Sequence, residues 1–449
     1  MIMTRQGKDG SIQPRAIALL PILVFLLIFI GVGFYLQIHG THFAFYQLPS
    51  PVAILPALAL ALIISKERLN KSIDQMIHGM GHNNIITMCL IYLLAGGFSV
   101  VAKATGGVDS VVGIGLSIIP SWFLVPGIFI VSAFIATAMG TSMGTIAAVA
   151  PIAFGISHAT DVSPALMAGS VLSGAMFGDN LSIISDTTIA ATRTQNCEMK
   201  DKFRENFALA LPAAIIALVV FWYLSGHATV PTQDHIAIMP AIPYLFILVL
   251  AIGGVNVFVV LALGIVLAGL NGMISSNYAF MEFAKDIYKG FTGMQEIFIL
   301  SLFIGGLSEL MRLQGGLAFL QKYVGKLVSK FGQGKSSAQF GIAILVMLTN
   351  ICTANNTIAI LIAGGLAKEV ANDYQISGRR SASILDIFAC VIQGLVPYGA
   401  QILLLGSLFK LSPLDISVMS IYPMLLGVVS FLAIFIRKDR LPNSAHENK

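Results

Sequence analysis

Between residues 178 and 188 the chain reads GDNLSIISDTT, which puts two carboxylates, two serines and two threonines into eleven positions of an otherwise apolar run. An ionised carboxylate at bilayer depth costs several kcal/mol even on the most lenient scale, so Asp179 and Asp186 each need a counter-charge or a proton. On a continuous helix these positions fall at i, i+3 and i+7, which predicts Asp179, Ser182 and Asp186 on one face over two turns. Ser185, Thr187 and Thr188 add hydroxyl oxygens, and Gly178 marks the place for a local break that would free backbone carbonyls. Hard oxygens of this kind suit Na⁺ or a proton and offer no soft ligand to a transition metal. A capping role competes: SDTT can close a helix N-terminus through Ser185 or Asp186, but that accounts for only one carboxylate.

Other polar residues interrupt apolar runs further along. TNICTANNT (349–357) brings Thr353, Asn355, Asn356 and Thr357 to the point where an apolar hairpin would turn, and GTSMGT (140–145) offers Thr141 and Ser142 at a similar point earlier. Paired breaks of this type bound substrate or ion sites, although Ser, Thr and Asn also tie packed helices together. GLVPYGAQILLLGS (394–407) carries no acid; Gln393, Tyr398 and Gln401 are its polar members. Glu309, one turn from Arg312, reads as a structural pair near a helix end. Asp386 is placed near the start of a span, where it either favours the helix N-terminus or acts in transport. His78 and His82 in HGMGH read as surface loop residues. Cys89, Cys197, Cys352 and Cys390 show neither metal nor disulfide spacing. No H-E-x-x-H, nucleophile elbow or phosphate-binding loop is present, so enzymatic readings are disfavoured and no cofactor is expected.

These groups must be positioned by membrane helices. The chain has 449 residues, 56% hydrophobic and 10% charged, with mean hydropathy +0.86, whereas soluble domains carry about 25% charged residues. Apolar runs of roughly 20 residues, the length that crosses a bilayer as a helix, recur from 15–38 to 419–436. The fold expected is an all-α polytopic membrane protein without a soluble domain. The first run is too long for a signal-peptide core and reads as a retained span. A formal charge of +5 does not indicate nucleic acid, because the basic residues form short clusters between apolar runs.

The chain also repeats. GGFSVVAKATGGV (96–108) aligns with GGLSELMRLQGGL (305–317) at an offset of 209, and TSMGTIA (141–147) with TANNTIA (353–359) at 212. Two copies are expected, 1–226 and 227–449. Lysine and arginine concentrate after opposite elements in the two copies, which predicts inverted topology with both termini cytoplasmic. Assigning the tails and loops 66–71, 193–204, 312–335 and 368–380 to the cytoplasm leaves only Lys103, Lys285, Lys289 and Lys410 outside. That topology needs about ten full spans, plus two hairpins or short-span pairs at 122–157 and 339–371, with the site near the midplane where the copies meet.

GDNLSIISDTT resembles the G-D-x-x-S-P-x-S-D-T-T signature of the NhaC family of Na⁺/H⁺ antiporters, in the ion transporter superfamily, with Ile183 in place of the signature's proline; T-x-N-N-T fits the same family. The resemblance covers about 84–437 and inclines toward the YuiF-like amino-acid transporter branch. It implies an inverted-repeat, alternating-access carrier of a bacterial inner membrane, whose coupling ions are Na⁺, H⁺ or both. Asp179, Ser182, Ser185, Asp186, Thr187, Thr188, Thr141 and Ser142 would line the cation or proton site, with Na⁺ at Asp179 and Asp186. Thr353, Asn355, Asn356, Thr357, Gln393 and Tyr398 would form a substrate or second ion site. The leading expectation is exchange of H⁺ and Na⁺ through the two acids; the alternative is Na⁺- or H⁺-coupled uptake of an amino acid or small organic acid. The partners expected are a small ion or solute and the lipid bilayer, with a homodimer left open.

Overall fold

The structure, a computed structural model, describes residues 12–41, 44, 47–226, 238–275, 278–330 and 334–436, and among these there is no strand. The basic tails (1–11, 437–449) and the expected boundary between copies at 226/227 border on or fall in residues outside that set. The first half builds α1 (Leu20–Ile38), α2 (Ser50–Ala53), α3 (Leu55–Ile63), α4 (Leu69–Met80), α5 (Asn83–Ala104), α6 (Gly107–Ile118), α7 (Leu124–Met139), α8 (Ser142–Ala159), α9 (Pro164–Leu181), α10 (Asp186–Gln195) and α11 (Met199–Ser225). The second builds α12 (Ile242–Ile252), α13 (Val257–Ser275), α14 (Phe280–Gly293), α15 (Gln295–Leu313), α16 (Gly316–Lys330), α17 (Lys335–Thr353), α18 (Asn356–Asp373), α19 (Gly378–Gln393), α20 (Ala400–Phe409), α21 (Pro413–Val418) and α22 (Ile421–Ile436). Among the described residues seven helices are long and apolar enough to cross a membrane, α5, α7, α8, α11 and α13 among them.

The same punctuation divides both halves. Chain reversals fall on left-handed residues at Gly140 and Ala354 and at Asn196 and Lys410, each pair 214 residues apart. N-caps Thr141 and Asn355, and Ser163 and Ser377, keep that offset. Thr141 therefore corresponds to Asn355, two residues beyond the Thr353 that the ungapped alignment pairs with it. Asp179, by the same offset, corresponds to Gln393. The linker between α7 and α8 is two residues, Gly140 and Thr141, and at 1.5 Å per residue these helices reach about 24 and 27 Å, close to the roughly 30 Å of a bilayer core.

The halves pack by exchange: α4 lies along α15, and its counterpart α14 lies along α5. Glycines make both approaches possible. A Cβ on Gly79 would stand 2.6 Å from the Gly305 carbonyl oxygen, and one on Gly96 would meet the Gly290 carbonyl. Small residues at such crossings are the general means by which membrane helices approach, since lipid supplies no hydrophobic drive between them.

Two adjacent glycines test this packing. A Cβ on Gly364 of α18 would lie 2.6 Å from Thr194 Cβ, whereas Gly365 faces open space. Gly364→Ala is expected to destabilise by about 1–3 kcal/mol through overpacking and Gly365→Ala to stabilise by about 0.5–1 kcal/mol through helix propensity; thermal unfolding in detergent reads both.

Candidate functional site

Four helix interruptions meet around one small cleft. α9 starts at the Ser163 N-cap, whose hydroxyl accepts from Leu166 N–H, with Pro164 at the first helical position. It ends at Leu181, and residues 182–185, extended at Ser182 and Ser185 and bent at Ile183 and Ile184, lead into α10 at Asp186. Asp179, Ser182 and Asp186 are thus not three positions of one helical face, as the spacing predicts. The break also lies beyond Gly178, which sits in the body of α9 packed against Ala136 of α7. Isoleucine in place of the signature proline does not prevent the interruption; Ile183 and Ile184 are exposed, and Ile184 rests against Gly140 at the α7–α8 turn. In the second half Asn355 caps α18 by accepting from Ile358 N–H, and residues 394–399 separate α19 from α20.

The cleft, about 90 Å³, takes lining from both halves: Thr141, Ser142, Asp179, Ser185, Asp186 and Thr187 from the first, and Asn355, Asn356, Thr357, Gln393 and Gln401 from the second. Asn84, Thr87 and Met88 of α5, none of them singled out by the sequence, complete the wall. Asp179 is buried, and its carboxylate accepts hydrogen bonds from Ser185 Oγ (2.6 Å) and Ser142 Oγ (3.1 Å). With its proton committed to Asp179, Ser185 accepts from Thr187 Oγ1 at 2.9 Å. Ser142 in turn accepts from Gln401 Nε2 (3.1 Å), and Gln401 Oε1 accepts from Gln393 Nε2 (2.8 Å). A hydrogen-bond chain therefore runs from Asp179 to Gln393, the residue at the equivalent position of the other half. No ion pair among the described residues reaches Asp179.

Four sequence candidates lie elsewhere. Ser182 and Thr188 do not line the cleft, and Thr188 Oγ1 donates to Ser182 O at 2.7 Å. Thr353 lines a neighbouring crevice instead. Tyr398 is buried with its hydroxyl donating to Ile351 O at 2.7 Å, beside Phe25. Asp186 does line the cleft, but at the N-terminal turn of α10 it is exposed, so its expected burial is corrected. The capping reading of SDTT holds only for position: Ser185 is the N-cap of α10, yet its side chain makes no capping bond because it serves Asp179. Glu309 and Arg312 pair at 2.6 Å, as expected. His78 and His82 are both exposed, as expected; His82 lies in the short linker as the N-cap of α5, while His78 sits in the last turn of α4 and not in a loop.

A second buried acid, Asp386, has a partner that the sequence did not point to. Lys202, assigned by sequence to a cytoplasmic loop, lies within α11, and Asp386, expected near a span's start, lies midway along α19. Their charges meet at 2.7 Å with both side chains 1% exposed. Lys202 Nζ also donates to Thr188 Oγ1 (2.6 Å) and to Asn180 O (3.1 Å), and Asn206 Nδ2 donates to Asp386 Oδ2 (2.7 Å) and Asn180 O (3.0 Å). Arg380, counted with the same loops, is buried against Gln339. The available signal was one-sided: Asp386 is flanked directly by SASIL and IFACV, whereas Lys202 sits in the polar stretch KDKFREN and reads from sequence as a topology marker.

Two further crevices flank the cleft's helices. One of about 1030 Å³ includes Gly96, Ser99, Lys103, Lys289 and Gly290; another of about 240 Å³ includes Gly305, Ser308, Arg312, His78 and Gly79. Their members correspond at offsets of 209 and 211, so equivalent surfaces of the two halves enclose unequal spaces.

The profile of the Na⁺/H⁺ antiporter family matches residues 13–226 and 228–436. The chain is 26% identical over 369 residues to the Na(+)/H(+) antiporter NhaC of Alkalihalophilus pseudofirmus, covering 74% of this chain and 77% of that one. It is 22% identical over 457 residues to the arginine/ornithine antiporter ArcD of Halobacterium salinarum, covering 93% and 90%. It is 25% identical over 425 residues to the Na(+)/H(+) antiporter NhaC of Bacillus subtilis, covering 86% and 91%.

The buried pair makes its own prediction. Asp386→Leu strands the Lys202 ammonium without its counter-charge and is expected to cost about 3–5 kcal/mol, most of it regained in Asp386→Leu/Lys202→Met. Unfolding midpoints of the single and double variants in detergent check this.

Proposed function

Because this chain belongs to the Na⁺/H⁺ antiporter family and is a multi-pass secondary transporter of that type, we propose that Asp179 is the carboxylate at which Na⁺ and H⁺ compete. The observation that carries this is the contrast between two buried acids: among the described residues Asp386 has Lys202 at 2.7 Å, while Asp179 has only hydroxyl donors. A buried charge without a partner is costly, and either a proton or a bound cation removes that cost. Only one of them can do so at a time, which is the requirement for exchange. Hydroxyls of Ser142, Ser185 and Thr187 supply hard oxygens beside the carboxylate, and no resident cofactor enters the scheme. Asp186, at the cleft's exposed edge, attracts the cation toward it.

The cleft's size supports an ion as cargo. A volume of about 90 Å³ holds roughly three water molecules, well below the roughly 300 Å³ at which pockets for larger organic ligands begin. The duplication supplies the means of access. We read residues 1–226 and 227–449 as inverted repeats of a bacterial inner-membrane protein with both termini in the cytoplasm. Lys103, Lys289 and Lys410, which the charge bias leaves outside, all line the larger crevice. Exchange of the two crevice volumes between equivalent surfaces is the alternating-access movement this favours. We leave the homodimer as the oligomeric state to be tested by mass measurement in detergent.

A second reading, antiport or uptake of a small amino acid or organic acid, is favoured by four helices, α8, α10, α18 and α20, that begin at the cleft's lining. Their positive ends suit a substrate carboxylate, and ArcD exchanges arginine and ornithine by its name. Proteoliposomes separate the readings. With a Na⁺ gradient alone, lumenal pH is expected to change; an absence of proton movement, together with accumulation of a labelled amino acid, would replace the ion reading.

Asp179→Asn is expected to lower Na⁺-driven proton movement at least about 100-fold, the loss of roughly 2.7 kcal/mol of charge interaction. Asp186→Asn should cost less than about tenfold, because an exposed charge is screened; equal losses would reject the ranking. Competition also sets the pH dependence. As pH falls, protons occupy the shared carboxylate and the apparent KM for Na⁺ rises, by up to about tenfold per pH unit, in a measurement of initial rates at several external pH values.

A further inference from the structure

The socket around Lys202 is built like a site for a monovalent cation. Its ammonium has three N–H donors, and they meet three oxygens of different kinds: a carboxylate (Asp386 Oδ2, 2.7 Å), a hydroxyl (Thr188 Oγ1, 2.6 Å) and a backbone carbonyl (Asn180 O, 3.1 Å). That carbonyl belongs to the last turn of α9, where no intrahelical donor remains. Carbonyls at the C-terminal end of an interrupted helix carry partial negative charge and are the groups that hold coupling cations in transporters of this build. Two more oxygens close by have no hydrogen-bond donor, Asp386 Oδ1 and Asn206 Oδ1, both on residues at most 1% exposed. The oxygens exceed what one ammonium can use.

The neighbouring chain links this socket to the cleft. Asn180 follows Asp179 directly, and Thr188, which accepts from Lys202, donates to the Ser182 carbonyl in the non-helical segment between α9 and α10. The cleft and the socket thus lie on either side of one helix interruption. One contains an acid without a cation and the other an acid with a cation attached to the protein.

We propose that Lys202 is a tethered cation that permanently fills a second alkali-cation site, so that one exchangeable cation, at Asp179, is bound per chain. The proposal rests on the transport reading but concerns a different acid. It predicts that vacating the socket creates Na⁺ binding there. Lys202→Ala removes the ammonium and opens space while leaving Asp386, Thr188 and the Asn180 carbonyl in place.

The test counts bound ²²Na⁺ on the purified full-length protein by equilibrium dialysis. Wild type is expected to bind one Na⁺, Lys202→Ala two, and Lys202→Ala/Asp386→Asn one again. The Asp179→Asn background separates the two readings. There, Lys202→Ala should still add one Na⁺, whereas an undiminished count in Asp179→Asn itself would reject Asp179 as the exchange site and leave the socket untouched. If Lys202→Ala does not survive extraction in choline buffer, Na⁺ is expected to rescue it, and the double variant should need no rescue. An unchanged Na⁺ count in Lys202→Ala, or failure of Na⁺ to rescue it, overturns the proposal.

Discussion

A carboxylate buried without an ion-pair partner is the constraint on which the rest of this architecture depends. Asp179 cannot stay charged in an apolar bundle unless its surroundings supply compensation. The surroundings supply dipoles: two serine hydroxyls donate directly, and behind them Thr187 and the Gln401–Gln393 chain orient those serines. Dipoles reduce the cost and do not cancel the charge, which leaves room for a mobile ion to do so. Had a lysine reached Asp179 as Lys202 reaches Asp386, the charge would be settled inside the protein and nothing would need to cross.

Interrupted helices follow from that constraint. A continuous helix through residues 178–188 would use its carbonyls internally and turn its side chains to several faces. Ending α9 at Leu181 and restarting at Asp186 frees carbonyls at 180 and 182 for Lys202 and Thr188, and lets Ser185 turn back onto Asp179. Gly140 accepts Ile184 of that interruption in the turn between α7 and α8, where any side chain would collide. The second half contributes a matching interruption with neutral chemistry, Gln393 standing where the shared offset of 214 places Asp179. One charge with a neutral mirror image limits the desolvation cost to a single group.

Much of this was legible in the chain. Runs of apolar residues announced a helical membrane bundle, and Asp179, Ser142, Ser185, Asn355 and Gln393 were all candidates that the fold brings to one cleft. The errors share a cause. Asp186 and Asp179 look equivalent in sequence, but one opens α10 at an exposed edge while the other is enclosed by α8 and α20. Lys202 looks like any lysine after a span, yet α11 begins at Met199 and carries it inward by one turn. The Thr141–Thr353 pairing followed identical letters, whereas the caps show that Asn355 does the work of Thr141.

Composition and hydrophobic run length are local properties of a chain, and they alone determined the class of fold and the segment that carries charge. Which acid is left unpaired is not local. It depends on where a helix stops and on which neighbour the packing brings up: hydroxyls of Ser185 and Ser142 to Asp179, and the amide of Asn206 and the ammonium of Lys202, both from the other half of the chain, to Asp386. Only the tertiary structure could decide that Asp386 meets a lysine and Asp179 does not, because burial and pairing of a charge are properties of the helices packed around it.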